Sequence, residues 1–298
     1  MGLIFLLILL KRKIKYLFLI NLLFVIIFTS CHRESVKKKI NEAELNRNKG
    51  QYAKAIVIYK NIIDKKTNNP IYIKALFELG RTYYFYLNDY PAALRYFYQL
   101  IYNYPNNALA VSSQKNIADI YLFKIKDFEK AIEEYNKLLY IKSIDVVNRE
   151  DIIYNIAQCY FNLGNYEQAR LEYRYLLEGF PNTHLTSKVY FRIATALHLQ
   201  GAFIKAINSY QVVISKFPKD KLSNTARLEI ARILEDQDKL KEALEIYHKL
   251  FKTYENKDMV RNKINQIKLR QEAKKSGKKN RDNWSGKLGN NSGKPSRK

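Results

Sequence analysis

Cysteine and histidine are the side chains with the most direct chemistry for nucleophilic attack, metal ligation or proton shuttling, and this 298-residue chain has six of them: Cys31, Cys159, His32, His184, His198 and His248. A metal site needs ligands spaced to converge, and a nucleophile needs a base within hydrogen-bond reach. The four histidines are scattered with no ligand spacing among them, and no HExxH, paired CxxC, phosphate-binding glycine loop or GxSxG occurs. Asp and Glu fall mainly on polar faces of periodic segments, as a solvated surface does. The expectation is a protein that is not an enzyme and takes no cofactor or metal. Cys159 lies in an apolar helical pattern beside Ala157 and Tyr160, which suits a small buried thiol.

Cys31 has a different setting. Lys11-Arg12-Lys13-Ile14-Lys15 is a basic cluster, and Tyr16–Phe28 is a 13-residue run, apolar except for Asn21. That is the length of an export signal and short of the ~20 residues a membrane-spanning helix needs. Phe28-Thr29-Ser30-Cys31 follows. A small residue before a Cys at the end of an apolar run resembles the lipobox of bacterial lipoproteins. The resemblance implies that residues 1–30 are a signal peptide and that Cys31 is lipidated. Phe28 stands where that family usually has Leu or another aliphatic residue. An uncleaved membrane anchor is the alternative. His32 follows, where an Asp would imply inner-membrane retention, so the resemblance favours the outer membrane and a periplasm-facing body.

The elements that would position any functional side chain come from an internal repeat. Tyr52, Tyr90, Phe128, Tyr166, Phe203 and Leu240 recur at 37–38 residues. Three residues after each comes Ala (Ala55, Ala93, Ala131, Ala169, Ala206, Ala243), and seven after comes an aromatic (Tyr59, Phe97, Tyr135, Tyr173, Tyr210, Tyr247). These offsets share one helical face. The Ala lets a neighbouring helix approach, and the aromatic one turn on fills the gap. A second helix precedes each anchor and carries a small residue nine or ten positions upstream: Ala43, Gly80, Ala118, Ala157, Ala194 and Ala231. Turn residues such as Gly164-Asn165 separate the two helices, and Pro105, Pro181 and Pro218 close three of the units.

Asn162-Leu163-Gly164-Asn165-Tyr166-Glu167-Gln168-Ala169 and Lys126–Tyr135 resemble the tetratricopeptide repeat. The stretched spacing and the Tyr-Pro or Phe-Pro endings are similar to its periplasmic branch, which includes BamD-type and YbgF-type proteins. BamD-type proteins usually have five repeats, and YbgF-type proteins carry a coiled coil that has no counterpart here. The resemblance implies an all-α, right-handed superhelical solenoid of about six helix pairs over residues 36–255, then a capping helix over 256–273. It also implies a concave wall lined by the first helix of each pair. On that wall it places Arg81, Tyr84, Asp119, Tyr154, Gln158, Asn162, Thr195, His198 and Arg232 as a groove for partner proteins or peptides, the alternative for each being packing within the solenoid.

The formal charge of +24 is concentrated at the ends; Arg261–Lys298 holds 13 Lys/Arg against Glu272 and Asp282. Residues 274–298, rich in Lys, Ser, Gly and Asn, read as a disordered basic tail. It is either a tether for anionic lipid or cell-wall polymers or a solvated extension. Three functions are consistent with these features. The first is a lipid-anchored scaffold for protein–protein interactions in the bacterial cell envelope, in outer-membrane assembly or envelope organisation. The second is a cell-wall- or anionic-lipid-binding protein acting through the tail. The third is a cytoplasm-facing, membrane-anchored protein that binds nucleic acid, which the export signal argues against.

Overall fold

The computed structural model describes residues 36–64, 70–141 and 149–289, with side chains described as far as residue 276. Residues 1–30, Cys31 and residues 290–298 lie outside the described residues. Every element among the described residues is helical. Helix α1 covers 36–48. It is followed by α2 (Tyr52–Ile63), α3 (Pro70–Thr82), α4 (Tyr90–Asn103), α5 (Ala108–Ile120) and α6 (Phe128–Leu139). Then come α7 (Arg149–Asn162), α8 (Tyr166–Gly179), α9 (Thr186–Leu199), α10 (Phe203–Lys216), α11 (Lys221–Asp236), α12 (Leu240–Thr253) and α13 (Lys257–Gly289). They form two compact units that divide at Ile152/Ile153, near the start of α7. Within each unit consecutive helices pack on one another, and first helices of neighbouring repeats also touch, as α3 does α5 and α9 does α11.

The six anchor residues are each the first residue of a second helix (α2, α4, α6, α8, α10 and α12). The six alanines and six aromatics that follow them are all 0% exposed. The helices thus meet through one small and one large side chain per repeat, and each buried ring stabilises by roughly 1.5–3 kcal/mol. Asp89, Asp127 and Asn165 cap their helices by accepting from the N–H of Ala92, Lys130 and Gln168.

Two residues ahead of every second helix the backbone is left-handed. Gly50, Gly164 and Gly201 take this conformation, but so do Asn88, Lys126 and Asp238, with φ of 54°, 62° and 62°. A Schellman-type bond accompanies it, as in Gln51 N–H to Asn46 O and Lys239 N–H to Leu234 O. Lys126 gains nothing locally from its Cβ there, so Lys126→Gly is expected to stabilise the fold. The relief of about 1–2 kcal/mol of left-handed strain outweighs the entropy glycine adds to the unfolded chain, leaving roughly 0.5–1 kcal/mol. A urea titration reads this as a higher midpoint at constant slope.

The nine-or-ten spacing of the small residue also has a structural cause. Where it is ten, in the second and third repeats, the extra residue is absorbed as a π turn at the end of the first helix, Tyr83–Leu87 after α3 and Tyr121–Ile125 after α5. Asp89 N–H accordingly reaches back six residues to Tyr83 O. Gly80, at the small position just ahead of the first π turn, is in tight contact: a Cβ there would lie 2.7 Å from Cε1 of Phe97. Gly80→Ala should therefore destabilise by about 1–3 kcal/mol despite the better helix propensity of alanine. Phe97→Leu in the same chain should recover part of that loss, measured by a double-mutant cycle in urea.

Helix α13 corrects the expected boundary between capping helix and tail. The helix does not stop near residue 273 but continues through Gly289, so residues 274–289 are helical. Val260, Ile264 and Ile267 bury one face in the C-terminal core alongside Leu250 and Tyr247. Lys268, Leu269, Arg270, Gln271, Glu272 and Ala273 then favour helix by propensity, whereas residues 274–289, with three Gly, two Ser and two Asn, do not. Ion pairs hold the helix to the end of α11 and to the turn before α12. Lys263 and Arg270 reach Glu235 at 3.3 Å, and Lys274 pairs with Asp238.

Candidate partner-binding face

The nine residues expected on the binding wall divide by unit and by burial. In the N-terminal unit, Arg81 is half-buried on α3. It pairs with Glu78 at 3.1 Å, and its guanidinium lies 5.6 Å from the Phe85 ring centre. Glu78 is itself buried and also holds Arg47, so Arg81 belongs to a three-residue charge cluster. Asp119 on α5 accepts from the Tyr135 hydroxyl at 2.5 Å and pairs with Lys115 at 2.6 Å. Tyr84 does not line an open face. It is buried in the π turn against Phe85 and Tyr90 and shares a core cluster with Phe97, Ile117 and Ile120. Burial, followed by the nearby Asp119 carboxylate, pushes its hydroxyl up to about 12.

In the C-terminal unit, Tyr154 is likewise core. It is buried on α7 with its ring 5.6 Å from that of Tyr173, and the Lys188 ammonium sits over it at 4.4 Å. Its offset from Ala157 is the offset of Ile40 from Ala43 and Leu228 from Ala231, and both of those are buried. Gln158 is partly exposed and Asn162 exposed, on α7. Thr195 on α9 accepts from the Tyr210 hydroxyl at 3.1 Å and donates to Phe191 O at 2.9 Å. His198 is partly exposed, with its ring edge-on to Phe203 at 6.0 Å. Arg232 is exposed on α11 and paired with Glu229 at 2.9 Å.

Seven of the nine are therefore at least partly accessible, while Tyr84 and Tyr154 are packing residues. Behind the face, several of the repeated tyrosines turn their hydroxyls onto their own first helix: Tyr135 to Asp119, Tyr210 to Thr195 and Tyr247 to Glu235. These bonds fix the side chains that the face presents. Among the described residues no three His, Cys, Asp or Glu side chains converge as metal ligands, and no helix is long and apolar enough to cross a membrane. Cys159 is buried, which pushes its thiol up to about 12 and keeps it protonated at neutral pH.

Sequence reasoning passed over the apolar side chains of the two π turns: Phe85, Tyr86, Leu87, Phe123 and Ile125, all exposed. The ten-residue spacing in those two repeats was the signal that could have singled them out.

Tetratricopeptide repeat families match residues 74–107, 151–183 and 114–145, each falling on a helix pair described above. Together with the fold, this makes the chain similar to tetratricopeptide repeat proteins, with three of its helix pairs matched as such repeats. Among solved structures, a tetratricopeptide repeat protein from Parabacteroides merdae is similar over 78% of this chain and 99% of its own, at 18% identity and a TM-score of 0.51. PilW, a type IV pilus biogenesis factor, is similar over 78% of this chain and 97% of its own, at 14% identity and a TM-score of 0.51. At such identities the likeness is one of fold. No curated protein matches the chain significantly.

Proposed function

We propose that this protein is a scaffold lipoprotein of the bacterial cell envelope, anchored through Cys31, whose repeats dock partner proteins or peptides. The observation that supports this best is the set of accessible, directional side chains on first helices. Gln158 and Asn162 on α7 and His198 on α9 present donors and acceptors within one unit, on a frame whose core residues repeat in register. Such a frame is rigid because each repeat buries its apolar face on the next, and a rigid frame lowers the entropic cost of binding. Anchoring rests on the basic cluster, the short apolar run and the small residue before Cys31.

Both parts are testable. Changing Cys31 to Ala should leave the precursor unprocessed or release the chain from membranes. A variant that remains membrane-bound at unchanged mass sinks the lipoprotein reading. For docking, a photo-crosslinking residue at Asn162 or His198 should give discrete products in cells, whereas one at Tyr175, exposed on α8, should not. Identical products from all three positions would remove the binding face as proposed.

A further inference from the structure

The two π turns do more than absorb an extra residue. Phe85, Tyr86 and Leu87 on the first are 52%, 41% and 42% exposed, and Phe123 and Ile125 on the second are 49% and 45% exposed. In the first repeat, which lacks the insertion, the corresponding turn is Arg47-Asn48-Lys49. The two π turns are neighbours: Tyr83 and Tyr84 of one and Tyr121 of the other pack on a single cluster with Ile117 and Ile120. The first repeat adjoins them, with the Tyr52 ring 5.1 Å from that of Tyr86 and the Arg47 guanidinium 5.8 Å from it. Exposed Lys49, Lys124 and Lys126 stand on the same turns. Of the local acids, Asp89 caps α4, Asp127 caps α6 and pairs with Lys130, and Glu129 is exposed in the first turn of α6.

We propose that this turn edge of the first three repeats is a membrane-contact surface, seating its aromatic side chains at the headgroup level of a bilayer that contains anionic lipid. Phe and Tyr interleaved with Lys and Arg is the composition of an interfacial contact, with amphipathic rings at the headgroups and cations facing lipid phosphates. A second copy of the chain is a poorer occupant. Five half-exposed side chains offer about 500 Å², below the roughly 800 Å² per partner of a stable interface, and self-association would set like charges against each other. The proposal rests on the envelope reading for its location. The chain from Cys31 to Val36 can span at most ~18 Å, close to the ~20 Å rise of the thirteen-residue helix α1. That span falls short of the helix rise, so a lipid on Cys31 lets the turn after α1 reach the bilayer surface when α1 is tilted from the bilayer normal.

The test uses the full chain with Trp284→Phe, its single native indole removed. A new indole is placed by Phe85→Trp or, as a control, by Tyr102→Trp, at the far end of α4 where the native side chain is 87% exposed. With vesicles of phosphatidylcholine and phosphatidylglycerol carrying brominated acyl chains, the indole at position 85 should shift to the blue and lose most of its emission. The indole at position 102 should not change. Lys49→Glu with Lys124→Glu should abolish the shift. Vesicle flotation reads the anchor separately. Protein that floats without quenching at position 85 overturns the edge and leaves the anchor standing. Protein that carries no lipid yet is quenched there overturns the anchor and keeps the edge. Shielding of position 85 by envelope proteins but not by vesicles assigns the edge to a protein partner and also overturns the proposal.

Discussion

Raising the pH from 10 to 12 is expected to unfold this protein, with buried tyrosines ionising in the same transition. Burial is the main reason that the hydroxyls of Tyr59, Tyr84 and Tyr210 are pushed from the ordinary value of 10 up to about 12. The thiol of Cys159 moves upward by burial as well. A group whose pKa is raised by folding contributes its full stability below the unfolded value and loses it as the pH climbs through the folded one. The loss therefore begins near pH 10 and is complete above about 12. The gap corresponds to roughly 2–3 kcal/mol for each tyrosine, and three such groups rival the whole stability of a typical domain, about 5–15 kcal/mol. Tyrosinate absorbance and far-ultraviolet circular dichroism should change together. Complete ionisation near pH 10 with helicity intact would show that the rings are not sequestered. Tyr59→Phe sharpens the test. The Tyr59 hydroxyl is buried without a hydrogen-bond partner, and the next repeat already has Phe97 at the equivalent position. That variant should keep neutral-pH stability or gain up to ~1 kcal/mol, and its alkaline midpoint should rise.

Tyr135→Ala should cost about 3–5 kcal/mol. The ring is fully buried at the seventh position of the third repeat, and its hydroxyl donates to Asp119, which is also paired with Lys115. Truncation opens a cavity between α5 and α6 and takes one donor from a mostly buried carboxylate. Tyr135→Phe separates the two effects. It keeps the ring and loses only the hydrogen bond, which is worth about 1.5–3 kcal/mol to a charged acceptor and less where Lys115 still pairs with it. Urea titrations of both variants decide the matter. An Ala variant no less stable than the Phe variant would mean that the ring does not hold the repeat together.

The packing of each repeat was legible before any coordinates, because a helix keeps residues at offsets of three and seven on one face. Ala131 and Tyr135 in the third repeat, or Ala206 and Tyr210 in the fifth, could be assigned to the core from spacing alone, and they are fully buried. The helix starts were equally readable, since Asp89, Asp127 and Asn165 are good caps. The binding face was less so. Tyr84 and Tyr154 look like surface anchors by type, yet Tyr84 is turned inward by the π turn and Tyr154 packs on Tyr173.

Sequence by itself determined the repeat, its register and the pairing of small with large side chains, because these follow from local helical periodicity. Only the tertiary structure decided the rest. Whether a side chain is free depends on partners distant in the chain, as Glu235 holding Lys263 and Arg270 of α13 demonstrates. Where an extra residue goes depends on the tertiary packing that keeps each second helix in register. In the second and third repeats that packing holds Gly80 and Ala118 in place on one side, and Tyr90 and Phe128 on the other. The surplus between them is expelled as a π turn, and the side chains it turns outward are the exposed aromatic edge.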